Sequence, residues 1–261
     1  MKIRAYIIIF LVITFFASCE RVIDVKVNDA VKKYVIEGVL TDQTGSCQVI
    51  ISQTKGFNED NSFAGVSGAK VSITDEAGII SNLTGTGGGY YESNLAGIPG
   101  KTYMLQVNIN DEVFTAVSKM PVPVLIDSLY ITEVSFFSET SKWVNVQYSD
   151  PASPGNSYRF VQYINNVKNK GIYVQNDDLS NGRLTTATLF GRDTEITKGD
   201  TVKVELQCID PVMYKYWFSL SQSATGETES ASPANPVSNI TGGALGYFSA
   251  HTVRTKSVIA N

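Results

Sequence analysis

Short runs with a period of two, turn residues that break them about every ten positions, and a single stretch of helical period predict an all-β chain. The expected architecture is two immunoglobulin-like β-sandwich domains, with one short covering helix in the second. From Tyr34 onward apolar and polar residues alternate, as they do in strands with one buried face. Gly, Pro, Asn and Asp punctuate the runs, and short strands at that spacing suit a sandwich. The chain has 261 residues, enough for two small domains or one large β domain with a real core.

Before the first strand comes a leader. Lys2 and Arg4 form a basic head, Ala5 to Phe16 an apolar run, and Ala17-Ser18-Cys19 follow at once. This is the order of a secretory signal peptide over 1–18. The apolar run is too short for a transmembrane helix, which needs about 20 residues. Phe16-Ala17-Ser18-Cys19 resembles a bacterial lipobox, which implies that Cys19 is lipidated and becomes the mature N-terminus. An ordinary signal with an incidental cysteine and an uncleaved anchor are the rival readings. Residues 19–32 read as a lipidated tether.

Residues 33–120 form the first expected sandwich. Tyr34, Ile36 and Leu40 share one side of a strand with Gly38. Cys47, Val49 and Ile51 repeat the pattern across Gln43-Thr44-Gly45, so the two runs predict a hairpin. A polar loop, Phe57 to Gly65, follows. Val66 to Asp75, Gly85 to Tyr91 and Gly97 to Val107 supply further strands and Gly-rich turns. Met120-Pro121-Val122-Pro123-Val124 interrupts, since proline cannot donate to a sheet ladder. Residues 121–125 are the expected linker.

The second sandwich, 126–261, reads as strands at Ser128–Phe137, Lys142–Tyr148, Ser157–Ile164, Gly171–Gln175, Leu184–Phe190 and Thr201–Cys208. A helix is expected near 211–223. Asp210 can cap it, Pro211 suits its first turn, and Met213, Tyr216, Trp217 and Leu220 fall on one face. Those residues should cover an open side of the sandwich. Gly242 and Gly243 introduce a last strand system running to Ile259, with Tyr247 and Phe248 on opposite faces.

The formal charge is −4, more negative once Lys2 and Arg4 are removed, and no basic block opposes it. That disfavours a nucleic-acid partner. Cys47 and Cys208 lie in strand-like runs, where a disulfide and two buried free thiols are both open readings. His251 is the one imidazole, and a hydrolytic triad needs such a base, or a lysine or amine in its place. In a strand-like run it reads as a structural or surface residue. No Cys/His pair has zinc spacing. Asp177 to Gly182 fails as an EF-hand loop, because Leu179 and Thr188 stand where oxygen ligands belong. Gly85 to Gly89 lacks the Lys-Ser/Thr of a phosphate loop and reads as a turn. No catalytic residue, metal or cofactor is therefore expected.

The aromatics mostly read as core. Phe57 and Phe63 are the exceptions, because they sit in a polar loop with Glu59 and Asp60. Phe57, Glu59, Asp60 and Phe63 together are the candidate partner-binding loop.

"SGAxVxI-D", "G-YY" and "PGxTYxLxV", read over 67–107, resemble carboxypeptidase-regulatory-like β-sandwich modules of bacterial surfaces. The whole order of lipobox, VIEGVLTD, VSGAKVSITD, GIPGKTYMLQV, PVPVLIDSLY and NPVSNITGGALGYFSA resembles a Bacteroidota lipoprotein family catalogued as domain of unknown function 4249. Its most specific parts are Ile126 to Tyr130 and Asn235 to Ala250. The resemblance implies an uncharacterised lipoprotein of the cell envelope, anchored in the outer membrane. It further implies a non-catalytic binding or accessory subunit, with a TonB-dependent outer-membrane β-barrel receptor as partner. The alternative is a surface adhesion or structural module holding polysaccharide or matrix. The resemblance carries no catalytic residues, and the small-molecule or glycan ligand stays unassigned.

Overall fold

The computed structural model describes residues 31–56, 59–60, 62–136, 139–190, 195–225 and 235–261. The signal segment 1–18, Cys19, the tether to residue 30 and Phe57 lie outside the described residues. The chain divides into two units, and the fold below is that of Lys32–Lys55 with Asp60–Asn261; of the other, only Val31, Gly56 and Glu59 are described.

The first half holds β1 (Tyr34–Thr41), β2 (Cys47–Gln53), β3 (Lys70–Asp75), β4 (Ile80–Asn82), β5 (Thr84–Gly87), β6 (Tyr90–Ser93), β7 (Thr102–Ile109) and β8 (Glu112–Lys119). The second holds β9 (Ser128–Phe136), β10 (Glu139–Ser149), β11 (Ser157–Ile164), β12 (Val167–Lys168), β13 (Tyr173–Asn176), β14 (Leu184–Leu189) and β15 (Thr201–Ile209). Helix α1 (Pro211–Thr225), β16 (Ile240–Thr241) and β17 (Leu245–Ile259) follow. The described chain is thus mostly β, in sandwich-like sheets, with one short helix.

Nine strands make one sheet, in the order β12-β11-β15-β17-β1-β2-β6-β5 with β13 also on β11. A five-stranded sheet, β16-β8-β7-β3-β4, covers one half of it, and a three-stranded sheet, β14-β10-β9, the other. The first core gathers Ile36, Leu40, Val49, Ile51, Val71, Leu105, Val107 and Phe248. The second gathers Val144, Val146, Tyr148, Tyr158, Phe160, Val204 and Leu206. Met120 is in the first and Val124 in the second, yet Ala244, Phe248 and Ala250, from beyond the expected linker, also belong to the first core. Nor does the linker separate two sheets.

The reason is β17. Its first part pairs in parallel with β1, from Val35 opposite Leu245 to Thr41 opposite His251. Its second part pairs antiparallel with β15, from Cys208 opposite Thr252 to Thr201 opposite Ile259. Where β1 departs, the Asp42 carboxylate takes its place. It accepts the Val253 amide at 3.0 Å and pairs with Arg254 at 2.6 Å. On the opposite edge of the first part, side chains stand in for a strand. Asn239 Oδ1 accepts from Phe248 N at 2.9 Å while its Nδ2 donates to Phe248 O at 2.8 Å. Ser238 donates to Gly246 O at 2.7 Å, and Ser118 Oγ accepts from Ala250 N at 3.0 Å. The Ser238-Asn239 pair of the closing motif therefore satisfies backbone groups that a sheet edge would leave open.

Two glycines let these strands approach. Gly246 has φ of 100°, and a Cβ there would meet Ile36 O at 2.1 Å. A Cβ on Gly38 would meet the Phe248 ring at 2.9 Å. Both positions require the missing side chain.

Candidate functional site

Strand alternation decides what lies on the outer face of the nine-stranded sheet. Ile36 and Leu40, Tyr158 and Phe160, Val204 and Leu206, and Phe248 and Ala250 point into the two cores. Their neighbours Glu37, Val39, Arg159, Glu205, Gln207, Tyr247, His251 and Val253 consequently share the other face.

Helix α1 covers part of that face. Asp210 caps it, its Oδ1 accepting from Met213 N at 2.8 Å, while its Oδ2 accepts from Ser118 Oγ at 2.5 Å. The cap thus ties the helix start to β8, and through Ser118 to β17. Met213, Tyr216 and Trp217 bury against Ile209 and Tyr247, with Leu220 packed alongside. Tyr216, Trp217 and Tyr247 form a ring cluster with centroids 4.9 to 5.2 Å apart.

Beside the helix the face stays open as a groove of about 740 Å³. Its floor is β11, β15, β17 and β1, and its walls are Trp217, the Lys168–Ile172 segment and the Gln43–Ser46 turn. At the floor the Arg159 guanidinium lies 3.6 Å from the Trp217 ring centroid and donates to Gln207 Oε1 at 3.1 Å. Such cation–ring contacts contribute about 0.5–2 kcal/mol, more when desolvated. Burial pulls the guanidinium below its usual range. Lys168 is lowered by burial and by the charge of Arg159. Burial raises Glu37, and the nearby Lys168 charge works against that rise. Glu205 is held by Lys203 at 3.5 Å and by the Tyr163 hydroxyl.

His251 is fully buried at the groove wall, Nδ1 2.9 Å from Ser249 Oγ. Burial, then the Arg159 charge, lowers it to about 4, so it is neutral at pH 7. A serine beside a histidine invites comparison with a nucleophile and its base. Ser249, however, is buried and does not line the groove, so no substrate there reaches its hydroxyl. The groove can bind and orient a ligand through cations, carboxylates and rings.

The residues of the expected loop lie elsewhere. Phe63 is 56% exposed, its ring 6.0 Å from Tyr90. Asp60 is exposed and pairs with Lys55 at 2.5 Å, hydrogen bonds from Lys55 and Ser62 holding its carboxyl down to about 2. Glu59 is exposed. Cys47 and Cys208 are both buried free thiols, one in each core, which resolves the open alternative in favour of thiols. Asp177, rejected above as a calcium ligand, is buried and accepts from Asn156 N at 2.9 Å. Among the described residues no group of three His, Cys, Asp or Glu is placed to hold a metal. None of their helices is long and apolar enough to cross a membrane.

The groove residues Glu37, Arg159, Lys168 and Glu205 were not among the expected site residues. A signal was present: Glu37 and Arg159 are each the one charge in their strands, YVIEGVLT and SYRFVQYI. Only the strand order brings them together.

A family model described as Domain of unknown function (DUF4249) matches residues 20–257. No curated protein matches the chain. Among solved structures, a segment of two fibronectin type-III domains from chicken tenascin is similar at 10% identity. The match covers 68% of this chain and 91% of that one with a TM-score of 0.23, too slight a likeness to carry an argument.

Proposed function

Since the chain belongs to the DUF4249 family over residues 20–257, a family of unknown function, we propose that it is a non-catalytic binding module. Its ligand lies in the groove beside α1. One observation carries this: charged side chains from four strands and a loop converge on a concave face that the helix leaves uncovered. Concave sites with a few convergent polar groups are the usual form of ligand sites. A surface evolved only for solubility has no reason to hold Arg159 against Trp217 at its floor.

The test blocks the groove from its rim. Gln43 and Lys170 line it from two different loops and are exposed. Gln43→Trp and Lys170→Trp should fill the opening, leave the melting temperature unchanged, and abolish retention of the small molecules expected to co-purify with the native protein and to be released on denaturing it. Undiminished recovery in both variants would remove the groove from the argument.

The finer reading places this module at the cell envelope, lipid-anchored through Cys19 at the outer membrane, as an accessory subunit of a TonB-dependent receptor. What supports it is the sequence alone: the basic head, the apolar run and the lipobox-like Cys19, with the partner implied by family resemblance. Two acyl chains hold a protein to a membrane far more firmly than one. Cys19→Ala should therefore lose fatty-acid labelling and release the protein. A large β-barrel should co-purify with the native form in detergent. Retention of a polysaccharide without a barrel would favour the adhesion alternative.

A further inference from the structure

We infer that the groove takes a monoanionic ligand bearing a carboxylate, and that the carboxylate sits on Arg159. The inference rests on the groove being the binding site and adds the chemistry of what enters it.

Arg159 is set as a receptor. A guanidinium has five N–H donors in a fixed plane. The Trp217 ring at 3.6 Å fixes that plane, and the bond to Gln207 at 3.1 Å fixes one edge. Among the described residues that is its one hydrogen bond, and no ion pair includes it. Arg159 is half-buried with the Glu205 charge nearby, and a guanidinium short of hydrogen-bond partners offers its remaining donors to an anion entering the groove. The two carboxylates of the groove have other attachments. Glu205 is held by Lys203 and Tyr163, and Glu37 lies in the field of Lys168.

The charge count chooses the anion. Three cations (Arg159, Lys168, Lys170) and two carboxylates (Glu37, Glu205) line the groove, and His251 is neutral at pH 7. The lining groups carry one net positive charge and Lys203 adds to it from outside, so the groove favours an anion, while the Glu205 charge near Arg159 disfavours more than one negative charge there. A phosphate dianion would bring a second negative charge toward Glu37 and Glu205, which repel it. The planar guanidinium accepts a carboxylate through two parallel hydrogen bonds, a geometry that a lysine cannot reproduce. Val39, Ile172, Val253 and Tyr247 offer the rest of the ligand apolar contact. A peptide C-terminus and a uronic acid both present such a group.

The experiment titrates the full chain by calorimetry with matched pairs: galacturonate against galactose, and trialanine against its C-terminal amide, with inorganic phosphate alongside. At least one acid should bind, with its neutral counterpart weaker by about tenfold or more, the scale of a charge-assisted hydrogen bond. Arg159→Lys keeps the charge and should lose about tenfold for the acid alone. Lys168→Gln, at the exposed rim, should weaken the acid without touching the fold. Equal binding of acid and neutral forms, or tighter binding of phosphate than of either acid, would overturn the inference while the groove stands. So would no binding of any probe at millimolar concentration. Acid binding that survives Gln43→Trp and Lys170→Trp would place the site elsewhere, and both readings fail together.

Discussion

Lowering the pH from 7.5 to 5 should cost the folded chain about 2 kcal/mol through His251 alone. In the fold, burial holds this imidazole down to about 4, against an ordinary 6.5. Between those values the unfolded chain takes up a proton that the folded chain refuses. Stability therefore falls as pH falls through that window, and levels off below about 4. Each pH unit inside the window is worth about 1.4 kcal/mol, and pH 5 lies one and a half units below 6.5. Two carboxylates titrate in opposite senses. Glu37 is raised from 4.5, so its stabilisation is present at lower pH and is lost as pH rises through its folded value, opposite to His251. Asp42 is lowered from 3.8, so its stabilisation is lost only as pH falls below that value, outside the range tested. The assay is urea unfolding of the native chain and of His251→Asn at pH 7.5 and 5. Asparagine keeps a polar atom near the Nδ1 position facing Ser249 and does not titrate. Glu37 acts in both proteins and cancels in the difference. The native chain should lose about 2 kcal/mol more than the variant on acidification. Equal losses would refute the reasoning.

Other perturbations follow from single contacts. Asp210→Ala removes the cap on Met213 and leaves the buried Ser118 hydroxyl without its acceptor. It should cost about 1–3 kcal/mol, read as a fall of several degrees in melting temperature. Cys47, whose thiol burial pushes up to about 11, and Cys208 should be alkylated only as fast as the protein unfolds. Rapid labelling of the native protein would contradict their burial. Phe63→Ser should barely move the melting temperature, since the ring is 56% exposed. If the 57–65 loop is a binding edge, partner capture falls; a drop of several degrees would instead assign the ring to the core.

Period and turn chemistry made the elements legible. Cys47, Val49 and Ile51 are the buried side of β2 as expected, because a strand with a buried face writes its alternation into the residues themselves. The helix was legible from Asp210, Pro211 and the spacing of Met213, Tyr216 and Trp217, and it runs two residues beyond the expected end, to Thr225. Pairing across long separations was not legible. Nothing in the run LGYFSAHTVRTKSVI says that its first part lies beside β1 and its second beside β15, since strand order depends on contacts rather than on period. The groove was hidden for the same reason. Glu37, Arg159 and Glu205 lie in three separate strands, and only their neighbours in the sheet make them a site.

Because β17 lies between β1 and β15, the nine-stranded sheet cannot be completed early. A ribosome delivers β1, ending at Thr41, long before β17, which begins at Leu245. Until then β1 has one bare edge, and the first core lacks Ala244, Phe248 and Ala250. Val258 of the same strand, with Ala260 just past its end, packs on the second core. Pairings this remote in sequence carry a high loop-closure cost and slow folding. The sheet thus waits on the arrival of one strand, and a chain cut before Leu245 leaves β1 and β15 each without a partner on one edge.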